Sequence, residues 1–125
     1  MPILICKASV LLFGIDVIVH LGKLRLLYQI IQRAPVRQLR GRGAPPPQRL
    51  CRAMDFACVF YFKKVMCLQR SAATTLLLRH YGWHARMVTG AKVLPFKSHA
   101  WVEIDGKVTN DRPYVSEIYQ VLERC

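Results

Sequence analysis

Cys67-Leu68-Gln69-Arg70-Ser71-Ala72-Ala73-Thr74-Thr75-Leu76-Leu77-Leu78-Arg79-His80-Tyr81-Gly82 is the stretch around which the rest of the chain is arranged. Leu68, Ala72, Thr75, Leu76 and Arg79 recur at helical spacing, which predicts a helix beginning at or just after Cys67. Gly82 stands where a helix takes its C-terminal cap, and Arg79 and His80 occupy the last turn, where cations are favoured. The Cys67 thiol then lies beside unpaired backbone N–H groups at the positive end of the helix dipole, a setting that favours the reactive thiolate. On this helix alone, a small buried hydrophobe is the better reading of Cys67, as for most free cysteines. Residues downstream reverse that balance.

Ser98 to Asp111 alternates with period two and carries an Asp105-Gly106 turn signal, which predicts a β-hairpin. His99, Trp101 and Glu103 share one face; Ala100, Val102 and Ile104 share the other, the expected core face. A two-residue Asp105-Gly106 loop would pair Ala100 with Asp111 and leave His99 on the opposite face. A three-residue loop, Ile104-Asp105-Gly106 with Gly106 as a left-handed bulge, instead sets His99 across from Asp111. It also pairs Glu103 with Lys107, Trp101 with Thr109 and Val102 with Val108, so the bulged turn is the expectation. Thiol at a helix start, imidazole on a strand and carboxylate on the next strand form the nucleophile, base and orienter order of activated-thiol catalysis. Each of His99 and Asp111 alone reads better as a surface polar residue; the three in order do not.

Cys67-Leu68-Gln69-Arg70-Ser71 opening a helix, followed by His99-Ala100-Trp101-Val102-Glu103, Asp105-Gly106 and Asn110-Asp111, resembles the leader peptidases of lasso-peptide biosynthesis. That family is a transglutaminase-like branch of the papain-fold enzymes, and the resemblance covers roughly residues 49 to 122. It implies an α+β, papain/transglutaminase-like fold with N-terminal helices and a small antiparallel sheet packed on the nucleophile helix. It implies Cys67 as nucleophile, His99 as general base and then acid, and Asp111 as orienter of the imidazole, in a cysteine protease with a Cys-His-Asp triad. The substrate implied is the leader of a ribosomally made precursor peptide. No cofactor or metal is needed for that chemistry, and any ATP use would belong to a partner lasso cyclase. No winged-helix leader-recognition domain is visible, so recognition is expected from a separate protein. Two alternatives use the same fold: a non-catalytic subunit that presents the precursor, and a thiol acyltransferase that delivers the acyl group to an amine.

With 125 residues, 53% of them hydrophobic, the chain is long enough for one domain with a sizeable core. Its net charge is +12, and the placement of that charge is uneven. Asp16 and Asp55 bracket eight basic residues with no acid between them, and five of the seven acids fall within residues 103–123. Such a block attracts nucleic acid, anionic membrane or acidic peptide. Without a helix-turn-helix, zinc-finger or ribonucleoprotein signature, nucleic acid is not an expected partner, while peripheral membrane contact stays open. Five cysteines, Cys6, Cys51, Cys58, Cys67 and Cys125, show no paired CxxC spacing, which argues against a zinc site and for a reducing compartment. Lys7 precedes an apolar run, but no small-residue cleavage site follows, so a signal peptide is not expected and the chain is placed in the cytoplasm.

Residues 1–34 form an apolar helical segment, interrupted by Lys7, Asp16, His20, Lys23 and Arg25 too often for an uncharged span of about eighteen residues. Its apolar sides need cover from the domain, a partner or a membrane surface. Residues 35–48, with Pro35 and Gly41-Arg42-Gly43-Ala44-Pro45-Pro46-Pro47, read as a linker, and residues 49–125 as the catalytic unit. Within that unit a helix is expected over 49–64 with Cys51 and Cys58 in or near the core, and a strand over 83–90. A loop is expected over 92–97 and a short closing helix from Val115, Ile118, Tyr119 and Leu122. His84 reads as a surface histidine. For the oxyanion, Tyr61 and Lys64 are candidates, and the Cys67 backbone N–H is the safer one.

Overall fold

A computed structural model of the chain describes residues 2–37, 45–93, 96–111 and 113–125. In chain order the elements are α1 (Pro2–His20), α2 (Leu24–Arg33), α3 (Pro47–Val59), α4 (Cys67–His80), β1 (Ala85–Lys92), β2 (Lys97–Ile104), β3 (Lys107–Val108), α5 (Val115–Ile118) and β4 (Gln120–Arg124). The strands form one antiparallel sheet in the order β3-β2-β1-β4. The expected α+β architecture, helices first and then a small antiparallel sheet, is what the chain adopts.

Helix α4 starts at Cys67, as its spacing predicts. It ends in a full Schellman motif: the Gly82 N–H donates to the Arg79 carbonyl at 3.1 Å and the Trp83 N–H to the Leu78 carbonyl at 3.0 Å. Gly82 has φ 92°, the left-handed conformation that this cap requires and glycine adopts without strain. From Ser71 to Arg79 nearly every residue of α4 is buried, not one face alone. The run Ser71-Ala72-Ala73-Thr74-Thr75 is small on all sides, so α1 and α3 close on the helix from one side and β1 and β2 from the other. The Thr74 and Thr75 hydroxyls donate back to the Arg70 and Ser71 carbonyls, which disposes of their polarity inside the core.

The N-terminal segment folds as two helices, because Gly22, at φ 73°, turns the chain between them. Leu4, Ala8, Leu12 and Ile15 of α1 and Leu27 and Ile31 of α2 are buried in the same core as Leu50, Met54, Leu77, Leu78, Met87 and Val102. Each of the Leu, Ile, Met and Val side chains among them contributes roughly 1.5–3 kcal/mol by leaving water. The opposite side of α1 exposes Ile3, Val10 and Phe13, and by length and composition this helix is apolar enough to cross a membrane. Helix α3 begins within the proline run, with Pro46 as its N-cap and Pro47 at the first helical position, where a missing N–H is harmless. The expected linker otherwise falls largely on residues 38–44, outside the described ones. Helix α3 ends at Val59, five residues earlier than the spacing suggests, and Phe60 to Met66 form an irregular connection to α4.

Arg79 fastens the far end of α4. Its Nε donates to the Ala85 carbonyl at 2.9 Å, Nη2 to the Cys125 carbonyl at 2.7 Å, and Nη1 to the carbonyls of Ile31 and Ala34. Burial pulls its pKa down from the ordinary guanidinium value.

Three expectations about the sheet are corrected. The strand placed at 83–90 runs over Ala85–Lys92, because Gly82 and Trp83 are spent on the helix cap. The closing helix is only the single turn of α5; Tyr119 and Leu122 belong to or adjoin β4, which pairs with β1. The His99 face of the sheet is not left to solvent either. The C-terminal segment returns over it, so that Val115, Tyr119 and Val121 pack with Val88 and Trp101 into a second small core. Leu94 and Pro95, in the expected 92–97 loop, lie outside the described residues.

Candidate active site

The hairpin that carries the imidazole turns differently from the expected bulge. Glu103 pairs with Val108 and Ile104 with Lys107, a two-residue loop in which Asp105 and Gly106 both have positive φ, 53° and 78°. This is the primed turn whose twist matches the strands, and an Asp-Gly pair accepts it readily. Had the ladder continued in this register, Asp111 would have faced away from His99. It does not continue. The Thr109 N–H still donates to the Val102 carbonyl at 2.8 Å, but the Val102 N–H is taken by the side-chain Oδ1 of Asn110 at 2.8 Å. The chain thereby leaves the sheet, and Asp111 is free of strand parity.

Asp111 Oδ2 accordingly meets His99 Nε2 at 2.5 Å. An ionised carboxylate only accepts, so Nε2 carries the proton and Nδ1 is the nitrogen available as a base. Both side chains are about one-quarter exposed, so the pair is sheltered yet accessible. The imidazole is flanked by two aromatic rings, Trp101 at 6.0 Å and Tyr119 at 5.3 Å between centroids. Trp101 is fully buried and donates through Nε1 to Glu103 Oε2 at 2.9 Å; Glu103 Oε1 in turn accepts from Arg124 Nε at 3.2 Å. Gly90, opposite His99 in the register, leaves room for this indole: a Cβ there would meet Trp101 Cη2 at 2.8 Å.

Cys67 is the first residue of α4 and is partly buried. One turn further along the same helix, the fully buried Ser71 donates to the carbonyl of Ala100 at 3.0 Å, next to His99, and accepts from Asn110 Nδ2 at 3.4 Å, next to Asp111. Arg70 donates to the Asn110 carbonyl at 3.4 Å and also pairs with Asp55 on α3. The start of α4 is thus tied to both segments that carry His99 and Asp111. His99 and Asp111 are in direct contact, while no hydrogen bond joins Cys67 to either among the described residues.

Cys51 and Cys58 sit on α3, buried and half-buried. Burial pushes the Cys51 thiol up to about 11 and raises that of Cys58, which makes both poor nucleophiles at neutral pH. Burial likewise raises Cys125. Of the oxyanion candidates, Tyr61 is engaged elsewhere, donating to Asp16 Oδ2 at 2.9 Å. Lys64 is exposed on the connection before α4. Among the described residues no side chain caps α4, which leaves the backbone N–H groups at Cys67 able to donate. His84 is exposed, as expected, and lines a cavity of about 550 Å³ with Arg79, Arg86, Glu103 and Arg124; none of Cys67, His99 or Asp111 borders it.

Sequence reasoning missed Ser71, Glu103 and Tyr119 as supports of the site. Ser71 was detectable in principle, as the hydroxyl a full turn after the thiol on the same helix.

The fold and this arrangement agree with comparison to known families. The family model for the transglutaminase-like superfamily matches residues 9–124, and the chain belongs to that superfamily. The microcin J25-processing protein McjB of Escherichia coli is 38% identical over 56 residues, 45% of this chain and 27% of McjB. The match therefore spans about a quarter of that relative. No solved structure matches the chain. Superfamily and relative together support the resemblance to lasso-peptide leader peptidases drawn from the motifs.

Proposed function

We propose that the chain is a cytoplasmic cysteine peptidase that removes the leader from a ribosomally made precursor during lasso-peptide maturation. The observation that carries the reading is the His99–Asp111 bond, on a strand to which Ser71 lashes the start of the nucleophile helix. Likeness to a microcin-processing protein supports the substrate class.

Asp111 fixes the proton on Nε2, so Nδ1 of His99 accepts the Cys67 proton. The thiolate attacks the scissile carbonyl, and the oxygen that becomes negative is received by free N–H groups at the start of α4. His99 then gives its proton to the leaving amine. Water, deprotonated by the same nitrogen, hydrolyses the thioester and restores the thiol. The flanking indole and phenol keep the imidazole in one plane through these transfers. A separate protein recognises the leader, and a cyclase closes the ring afterwards.

The test is cleavage of a precursor peptide in the presence of its recognition protein. Cys67→Ala and Cys67→Ser should abolish cleavage, and His99→Ala should lower it by roughly 10²–10⁴-fold. Retained turnover in Cys67→Ala would end the peptidase reading, and mass analysis showing an amine adduct in place of free acid would make the enzyme an acyltransferase.

A further inference from the structure

The helical half of the chain carries a surface that the peptidase reading does not use. Phe60 and Phe62, on the connection between α3 and α4, are 80% and 75% exposed. Between them Tyr61 turns inward to donate to Asp16, and Lys63 pairs with the same carboxylate at 3.1 Å. The connection is therefore pinned to α1 with its two phenylalanines held outward. Phe62, Lys63 and Leu21 line a common cleft, which places this connection beside the α1–α2 turn, where Leu21 and Leu24 are also exposed. Basic residues alternate with these apolar ones: Lys23 follows Leu21 and Lys64 follows Phe62. Both are exposed and neither is ion-paired among the described residues. The only acids before Glu103 are Asp16 and Asp55, and each is already paired, to Lys63 and Arg70.

We propose that this end of the helical layer docks on an anionic lipid bilayer, with Phe60 and Phe62 entering the acyl boundary and Lys23 and Lys64 facing the headgroups. Exposed aromatic side chains bordered by cations without ion-pair partners, with Asp16 and Asp55 both paired among the described residues, suit a medium that is apolar within and negative at its surface. The same connection runs through Met66 into Cys67, so docking presents the start of α4 close to the membrane. Adsorption requires no chemistry at Cys67 and stands or falls separately from the peptidase reading.

The experiment is co-sedimentation of the full chain with vesicles of phosphatidylcholine alone and of phosphatidylcholine mixed with phosphatidylglycerol, at low and high salt. Binding is expected on the mixed vesicles only, weakened by salt. Phe60→Ser with Phe62→Ser should remove it, and Lys23→Glu with Lys64→Glu should weaken it by at least about tenfold. Phe96→Ser, an exposed phenylalanine on the β1–β2 connection, should bind as the unaltered chain does. All these positions are exposed, and unchanged circular dichroism shows that the variants fold. Absent binding, equal binding to neutral vesicles, or binding indifferent to either paired variant overturns the proposal. So does self-association lost in the phenylalanine variant while vesicles stay bare, which would assign the surface to a second copy.

Discussion

Asn110 Oδ1 takes the Val102 N–H at 2.8 Å, standing in for the backbone carbonyl that a continuing ladder would have supplied. Through Nδ2 the same side chain reaches Ser71 on α4. One amide thus ends a strand, releases the neighbouring carboxylate from strand parity and holds the sheet to α4.

Asn110→Ala should leave the N–H of the fully buried Val102 without a partner, a loss of about 1–3 kcal/mol. Urea denaturation measures it. Asn110→Asp keeps the acceptor and should recover much of the loss; an equal loss in both variants would show that the Val102 bond contributes little.

Gly90→Ala tests the seat of the indole. The added methyl would lie 2.8 Å from Trp101 Cη2 and 3.0 Å from the Gln120 carbonyl, with backbone on one side and a fully buried ring on the other. A stability loss of roughly 1–3 kcal/mol is expected from overpacking. Displacing the ring that flanks His99 should also slow turnover more than it changes KM.

Thiol reactivity separates the five cysteines. At neutral pH iodoacetamide should modify the exposed Cys6 and the partly buried Cys67 first, since burial raises Cys51, Cys58 and Cys125. In a Cys6→Ser background peptide mapping should find Cys67 as the fast site. Cys51 reacting as quickly would mean that α3 opens readily.

Asp16 supplies an acid limb to stability. Burial alone would raise its pKa, but hydrogen bonds from Lys63 and Tyr61, together with charge from Lys63 and His20, outweigh it and hold the carboxyl below the usual value. A depressed folded-state pKa contributes stability that is complete above the unfolded carboxylate value and is lost as pH falls through the lower, folded one. Thermal melts should therefore show an acid-side decline that Asp16→Asn flattens; an unchanged decline would assign it to other carboxylates.

The sequence spelled out α4 almost residue by residue, because its cap chemistry is local: Gly82 and the cations before it act within one turn. His99 and Asp111 were legible as partners, yet the argument linking them was wrong in its turn. It assumed a strand reaching Asp111, while Asn110 had a tertiary acceptor role that no local pattern encodes. Strand β4 was missed because Val115, Ile118, Tyr119 and Leu122 suit helical spacing, and only the open edge of β1 decides otherwise. The second small core escaped for the same reason: its cover comes from the end of the chain.

The Arg79 guanidinium, meeting carbonyls from α2, Ala34, β1 and Cys125, ties together pieces of backbone far apart in sequence at the C-terminal end of α4. Detaching any one of them leaves a buried cation with fewer acceptors, a cost that couples the segments to one another. Helix α2 and Cys125, just past β4, are far apart in sequence yet are expected to open as a single unit. Their slowest amide protons should exchange in step, and at a rate separate from that of the Cys67 end of the helix.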